Sequence, residues 1–260
     1  MSTDSTPSAA SASVAAVRSS HDRLADLLAA LPEAEHTRQS YDTEWSIAQV
    51  ASHLGSQAEI FELFLDAGAD DLLPPAIEQF RAIWARWDAL EPTEQVSAAV
   101  ESDEHLVERL EGLGEADHDF SVEMFGASRD VEGVAALRLG EHALHTWDIA
   151  VALDPAATVS PDAVALLLEG LPALATRAGS PSDAPDTLRV AATGRPQVFA
   201  VTTGPEVRLL ADDGAEPADV VLPAEALVRL VYGRLDEGHT PDGITGAEHL
   251  PTLRAVFPGF

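Results

Sequence analysis

The sequence predicts a mainly α-helical protein, in which a four-helix bundle is followed by a small α+β domain. Five stretches before residue 155 repeat apolar side chains at the three- and four-residue spacing of an amphipathic helix. Four of these stretches are long, which suits a bundle with one added helix or turn. After Asp154-Pro155 one further helical stretch precedes several strand-like runs, and strands flanked by helices indicate an α+β domain.

The bundle helices have recognisable ends. Ser46 or Thr43 can cap the second helix, and Pro92 interrupts the chain before the fourth. A loop through Phe120, Met124 and Phe125 is predicted to join the fourth helix to the fifth. The five predicted helices run from about residue 15 to 31, 46 to 66, 75 to 90, 93 to 113 and 130 to 153.

The C-terminal part has a different sequence pattern, with both helical and strand-like runs. A helix rich in leucine comes first, and a second helical run and a short terminal helix follow the strands. The predicted strands are Leu188–Thr193, Gln197–Thr203, Glu206–Ala211 and Val220–Leu222. We therefore expect a disordered tail at 1–12, a helical-bundle metal-binding domain at 13–155 and an α+β domain at 156–260.

The charge of the chain restricts its partners. Its 260 residues include 44 acidic and 15 basic side chains, which gives a formal net charge of −29. Nucleic acid and anionic membranes require clustered lysine and arginine, so neither is expected as a partner. The acidic residues are scattered over the chain, which is typical of a well-solvated surface. We expect a monomer or a small homo-oligomer that binds a small molecule.

The absence of cysteine restricts the chemistry. Disulfides, thiolate metal ligands and a cysteine nucleophile are all excluded, so any thiol must come from a cofactor or substrate. The first residues lack the charged start and apolar core of a signal peptide, and no apolar run is long enough for a membrane span. The expected location is the cytoplasm.

One helix carries a polar stripe inside an apolar pattern. Arg138, Glu141, His145 and Asp148 are spaced by three, four and three residues, so they lie on one helical face. A buried charged stripe is costly unless its members are paired or bind an ion. Glu141 and His145 lie one turn apart and can bind one cation together.

A third ligand is available in the second predicted helix. His53 lies at the edge of an apolar stripe that includes Val50 and Leu54. Together with Glu141 and His145 it would complete a two-histidine, one-carboxylate set. Three protein ligands leave one coordination position for water or substrate, as in catalytic zinc sites, and the same set also suits non-heme iron or nickel.

The residues alone leave other interpretations open. A single histidine near an apolar face is more often a core or surface residue than a ligand. Arg138 can form an ion pair with Glu141, and His142 can replace Glu141 as a ligand. Trp45 and Trp147 are expected in the core. The remaining histidines show no recognisable spacing and receive no role; they are His21, His36, His105, His118, His239 and His249.

Both segments resemble a known family of metalloenzymes. Trp45, Ser46, His53 and Leu54 match the pattern Trp-Ser/Thr-(x)6-His-Leu, and the later helix matches Arg-x-x-Glu-x-x-x-His-x-x-Asp. In this order, and roughly ninety residues apart, they are similar to the motifs of the mycothiol-dependent maleylpyruvate isomerases. These belong to the DinB-like metalloenzymes of actinobacteria. Further similarity lies at Met124-Phe125-Gly126 and Tyr232-Gly233-Arg234.

The resemblance implies a fold, a cofactor and a reaction. It implies a DinB-like bundle, a sterol-carrier-like C-terminal domain and a divalent metal, usually zinc, on His53, Glu141 and His145. In the family reaction the thiol mycothiol adds to the cis double bond of maleylpyruvate, the adduct rotates, and the thiol leaves to give fumarylpyruvate. A metal lowers the pKa of a bound thiol, and the thiolate is the nucleophilic form.

Further residues can be given roles in that reaction. Arg234 is our candidate for binding a dicarboxylate substrate, and Arg138 is a weaker candidate. Asp148 is expected to orient a metal ligand from the second shell. We predict a metal- and mycothiol-dependent isomerase or thiol S-transferase. The alternatives are a metal hydrolase on the same bundle, with activated water in the open position, and a non-catalytic metal-binding or regulatory protein.

Overall fold

The chain divides into two compact units, Met1–Thr158 and Val159–Phe260. The computed structural model describes residues 9–70, 72–114, 120–182, 186–214 and 216–259. Most of the predicted tail, residues 1–8, and His118 lie outside the described residues. Residues 9–12, which were also predicted to belong to the tail, are helical. Three of these four residues are alanine, the strongest helix former, and no proline or glycine lies between Pro7 and Pro32.

The first unit is built on a four-helix bundle. α1 packs on α5 and α4, α2 packs extensively on α4, and contacts between α2 and α5 close the bundle, while α3 packs on the outside of α2. The helices are α1 (Ala9–Ala29), α2 (Ile47–Ala69), α3 (Ile77–Trp87), α4 (Pro92–Gly114) and α5 (Val131–Leu153). One hydrophobic cluster joins all five helices of this unit and includes Leu28, Leu54, Trp87, Ala99 and Ile149.

The start of α2 is fixed by a capping box. The Ser46 hydroxyl accepts from the Gln49 amide at 3.3 Å, and the Gln49 side chain accepts from the Ser46 amide at 2.9 Å. The amides of Ile47 and Ala48 donate to carbonyls of the preceding connector. These bonds satisfy donors that a helix start otherwise leaves unpaired, so they hold the first turn of α2 in place.

Gly55 lies where α2 packs tightly against Ala99 of α4 and Trp87 of α3. A Cβ atom at this position would overlap the indole of Trp87 and would lie 2.8 Å from the Cα of Ala99. We therefore expect Gly55→Ala to lower the free energy of unfolding by about 1–3 kcal/mol, because overpacking displaces both neighbours. Urea denaturation measures this change.

Gly112, on α4, provides the matched control for Gly55. No atom lies within 4 Å of the position a Cβ would take there. Gly112→Ala should raise the free energy of unfolding by up to about 1 kcal/mol, since alanine favours the helix. Equal effects of the two alanine substitutions would contradict the close packing at Gly55.

The segment before α5 is a hairpin, where the sequence predicted a loop. β1 (Val122–Met124) pairs antiparallel with β2 (Ala127–Arg129). Its turn consists of Phe125 and Gly126, which have φ angles of 51° and 80°. Two-residue turns of this kind are normally signalled by Asn-Gly or Asp-Gly, so a phenylalanine at the first position hid the hairpin in the sequence.

The second unit is a small α+β structure. Its sheet has the strand order β5-β4-β3-β6, in which β3 pairs antiparallel with β4 and parallel with β6. α6 packs on α7 and on β5. The elements are α6 (Pro161–Ala178), β3 (Thr187–Thr193), β4 (Val198–Thr202), β5 (Arg208–Ala211), β6 (Val220–Pro223), α7 (Ala224–Val231) and α8 (Leu250–Val256).

The predicted fold class is confirmed: a helical bundle precedes a small α+β unit. Within the described ranges, no helix combines the length and apolar character needed to cross a membrane. The helices differ from prediction mainly at their ends, where α3 is shorter by two or three residues at each end.

Candidate metal centre

Two helices bring three metal-capable side chains together. α2 supplies His53, and α5 supplies Glu141 and His145. Oε2 of Glu141 lies 3.7 Å from Nε2 of His53 and 3.8 Å from Nε2 of His145. One potential ligand atom from each residue lies within 4.8 Å of the other two. The structure therefore assembles the set that the spacing of the sequence suggested.

The distances within this set suit a shared cation better than direct hydrogen bonds. A separation of 3.7 Å exceeds the range of a nitrogen-to-oxygen hydrogen bond. Nε2 of His53 is buried and, among the described residues, has no hydrogen-bond partner. Ligands that each lie about 2.0–2.2 Å from a tetrahedral zinc ion are separated by about 3.3–3.6 Å. The three residues thus fit a divalent cation with little adjustment.

Trp45 covers the two histidines. Its ring centroid lies 4.9 Å from that of His53 and 6.2 Å from that of His145. The two imidazoles meet edge to face at 4.7 Å. Trp45 was expected in the core, and it does pack on the core cluster while its ring also lies against both histidines. Trp147 is buried, as expected.

Asp148 orients His145. Its Oδ2 lies 2.8 Å from Nδ1 of His145, three residues earlier on α5, and the Asp148 side chain is fully buried. An Nδ1–H donor to this carboxylate leaves Nε2 as the unprotonated nitrogen that faces Glu141. Metal-binding histidines are commonly fixed in this way by a carboxylate behind the ring.

Gln57 lies one turn after His53 and contacts the third potential ligand. Its Nε2 donates to Oε2 of Glu141 at 3.0 Å. Burial alone would raise the pKa of Glu141, but His53, His145 and the Gln57 donor lower it to about 2. Burial lowers the pKa of His53, in spite of the nearby Glu141 carboxylate. At neutral pH the Glu141 carboxylate is therefore ionised and the His53 imidazole is neutral, which are the protonation states that bind a metal ion.

Arg138 points into the bundle. Its side chain is fully buried and donates to Oδ1 of Asp103 at 2.6 Å and to the Leu54 carbonyl at 2.9 Å. The alternative pairing considered from sequence, Arg138 with Glu141, is replaced by a contact through Gln57. This burial argues against Arg138 as a direct contact of the substrate.

Arg234 belongs to the second unit, immediately after α7. Its side chain is partly exposed, and Nη1 donates to the Tyr232 carbonyl at 3.1 Å. Gly233 has a φ angle of 73°, and a Cβ atom there would overlap the backbone of Gly259. The glycine of this motif is thus required by the fold. The substrate-binding role of Arg234 stays a prediction.

A second group of polar side chains lies deeper in the bundle. Asp103, on α4, is fully buried, and its Oδ2 lies 2.7 Å from both Nδ1 of His21 and Nε2 of His142. Nδ1 of His142 contacts the Ser20 hydroxyl at 2.8 Å. His142 therefore belongs to this group and not to the set around Glu141.

Sequence reasoning missed Gln57, Asp103 and His21, although two signals were available. Gln57 is four residues after His53 and so shares its face. Asp103 lies within a helical stripe of buried residues on α4 that includes Ala99, Leu106 and Leu110. A charged residue inside such a stripe requires a buried partner.

Comparison with known proteins identifies the family. The sequence model of the mycothiol maleylpyruvate isomerase N-terminal domain matches residues 17–150, just over half of the chain. The chain belongs to this family. The resemblance inferred from the two motifs is thereby confirmed, and the matched region includes His53, Glu141 and His145. No curated protein matches the chain in sequence.

Two solved structures share the fold. One is a crystal structure of the mycothiol-dependent maleylpyruvate isomerase, with a TM-score of 0.66, and the other is a histidine-to-alanine mutant of that enzyme, with a TM-score of 0.65. Each is 16% identical in sequence, and the similarity covers 91% of this chain and 92% of the other. The likeness thus extends over both units of the chain.

Proposed function

We propose that this protein is a metal-dependent enzyme that uses mycothiol as a thiol cosubstrate, as an isomerase or a thiol S-transferase. The observation that carries the proposal is the convergence of His53, Glu141 and His145, with a buried imidazole nitrogen left unpaired among the described residues. Membership of the mycothiol maleylpyruvate isomerase family supports the cosubstrate. The similar fold of the solved isomerase is consistent with it.

The donor set suits a divalent cation, and we expect zinc. Three protein ligands leave a coordination position for an exogenous group. A cation held there would supply a Lewis acid that lowers the pKa of a coordinating thiol. Because the chain contains no cysteine, that thiol has to come from outside the protein.

The other residues of the site have defined tasks in this proposal. Asp148 holds His145 in one orientation, Gln57 holds the carboxylate of Glu141, and Trp45 excludes water from the imidazoles. We retain Arg234 as the candidate for binding a substrate carboxylate. Arg234 as a whole residue is partly exposed, which is compatible with that role.

The test follows the consumption of thiol by metal-loaded protein. With maleylpyruvate as substrate, we expect turnover with mycothiol and none above the uncatalysed rate without it. An isomerase regenerates the thiol, so a small fraction of one equivalent suffices for full conversion of the substrate. An S-transferase stops converting its substrate once the thiol is consumed. If this is observed, the assay is repeated with other electrophiles in place of maleylpyruvate.

The outcomes separate the candidate functions. Turnover that is independent of thiol would favour the hydrolase and overturn the proposal. A metal-loaded protein that converts none of the electrophiles tested would favour the non-catalytic alternative.

A further inference from the structure

We infer that Gln57 is a positioning residue for the metal ligand Glu141, and that the buried Arg138–Asp103 ion pair fixes its amide. This inference rests on the proposed metal site. It concerns residues outside the ligand set, and it replaces the substrate-binding role considered for Arg138.

Gln57 contacts Glu141 directly. Nε2 of Gln57 donates at 3.0 Å to Oε2 of Glu141, the same oxygen that faces both histidines. The carboxylate is partly exposed and belongs to a side chain with three rotatable torsions. A fixed donor on the facing helix therefore limits the positions that this oxygen can occupy.

Arg138 sets the orientation of the Gln57 amide. Nη1 of Arg138 donates to Oε1 of Gln57 at 3.2 Å. A guanidinium can only donate, so the amide oxygen must face Arg138 and the amide NH2 must face Glu141. The reversed amide would place a donor against the guanidinium and an oxygen against the carboxylate, and both contacts would be unfavourable.

Arg138 is itself anchored inside the bundle. Its guanidinium also donates to Oδ1 of Asp103 and to the Leu54 carbonyl, and both charged side chains are fully excluded from solvent. A buried pair held by several hydrogen bonds has little freedom to move. The path from Asp103 through Arg138 and Gln57 to Glu141 thus connects α4, α5 and α2 behind the metal site.

The buried cluster around Asp103 functions as this anchor and not as a second cation site. Nδ1 of His21 makes a direct hydrogen bond of 2.7 Å with Oδ2 of Asp103. Ligands around a tetrahedral cation would be separated by about 3.3 Å or more. The Arg138 guanidinium, 2.6 Å from the other oxygen of the same carboxylate, already supplies the opposite charge.

The test compares Gln57→Met with Ser102→Ala. Methionine keeps the length of the side chain and removes both hydrogen bonds. Ser102 supplies a different hydrogen bond between helices, to the Gly55 carbonyl at 3.0 Å, and does not contact the ligand set. Zinc affinity is measured by competition with a chromophoric chelator, and the melting temperature is measured on the metal-free proteins.

We expect Gln57→Met to raise the dissociation constant for zinc by about 10–100-fold, as for other residues that orient metal ligands. Ser102→Ala should leave the dissociation constant within about twofold of wild type. Ser102→Ala should lower the melting temperature of the metal-free protein by about 2–4 °C, the usual effect of one lost hydrogen bond, and Gln57→Met, which loses two, by up to about twice that amount. The Co²⁺ absorption spectrum should change only in Gln57→Met.

Two results would overturn the inference while leaving the metal site intact. One is a wild-type dissociation constant in Gln57→Met, and the other is equal weakening in both variants, which would indicate general loosening of the bundle. Absence of zinc binding in the wild type would instead overturn the proposed function, and this inference with it.

Discussion

Replacing His53 by alanine should abolish stoichiometric binding of a divalent cation. The wild-type protein should carry about one zinc per chain, and the variant close to none, because only Glu141 and His145 remain of three protein ligands. This variant should lose more zinc affinity than a variant of a residue that only orients a ligand, for which the expected loss is about 10–100-fold. Mass spectrometry of metal content, before and after reconstitution with zinc, measures the effect.

His105→Ala is the control for this experiment. His105 is exposed, lies on α4, and contacts Glu62 at 2.5 Å outside the ligand set. It should retain the wild-type metal content. If the wild-type protein binds no stoichiometric metal after reconstitution, the proposal of a metal-dependent enzyme is overturned. The polar stripe on α5 would then have a structural role.

Replacing Asp103 by asparagine should lower the free energy of unfolding by about 3–5 kcal/mol at neutral pH. The substitution leaves the guanidinium of Arg138 buried without its counter-charge, and removing one partner of a buried ion pair typically has a cost of this size. Urea denaturation of the metal-free protein measures it. The result does not depend on the proposed activity.

Asp66→Asn provides the comparison at the surface. Asp66 also bridges α2 and α4, through Arg109 at 2.8 Å, but Asp66 is solvent-exposed and Arg109 is partly exposed. Exposed pairs contribute about 0–1 kcal/mol, so the loss should be small. If Asp103→Asn cost no more than Asp66→Asn, the buried pair would not anchor the bundle.

The pH dependence of stability follows from the same cluster. Burial opposes ionisation of Asp103, but His142 and Arg138 hold the pKa of its carboxyl well below its usual value of 3.8. A lowered folded-state pKa adds stability that is complete above the unfolded pKa and is lost as the pH falls toward the folded one. The free energy of unfolding of the wild-type protein should therefore decrease as the pH drops below about 4. Asp103→Asn should reduce this acid dependence.

His21 contributes stability that is lost at high pH, in contrast to Asp103. Burial lowers its pKa, but the contacts with Asp103 and Glu104 outweigh that effect and raise the pKa above 6.5. Its contribution is thus complete below the unfolded pKa and is lost as the pH rises through the folded pKa. In Asp103→Asn, the decrease in the free energy of unfolding as the pH rises through the pKa of His21 should also become smaller.

The sequence by itself determined the parts of this protein that depend on local periodicity. Helical spacing aligned Glu141, His145 and Asp148 on one face, and Ser46, one of two candidate caps, begins the helix that carries His53. The helical bundle and the α+β unit followed from the same apolar patterns. These features need only neighbours in the chain, and the motifs were specific enough to identify the family.

The tertiary structure decided which side chain each polar group meets. Arg138 has Glu141 three residues away on its own helix, yet it pairs with Asp103 on α4, and it reaches Glu141 through Gln57 on α2. His142 turns toward His21 and Asp103 because it lies on another side of α5 from Glu141. Such partners come from helices that are distant in sequence. Their pairing therefore depends on how the bundle packs, which spacing along a single helix does not encode.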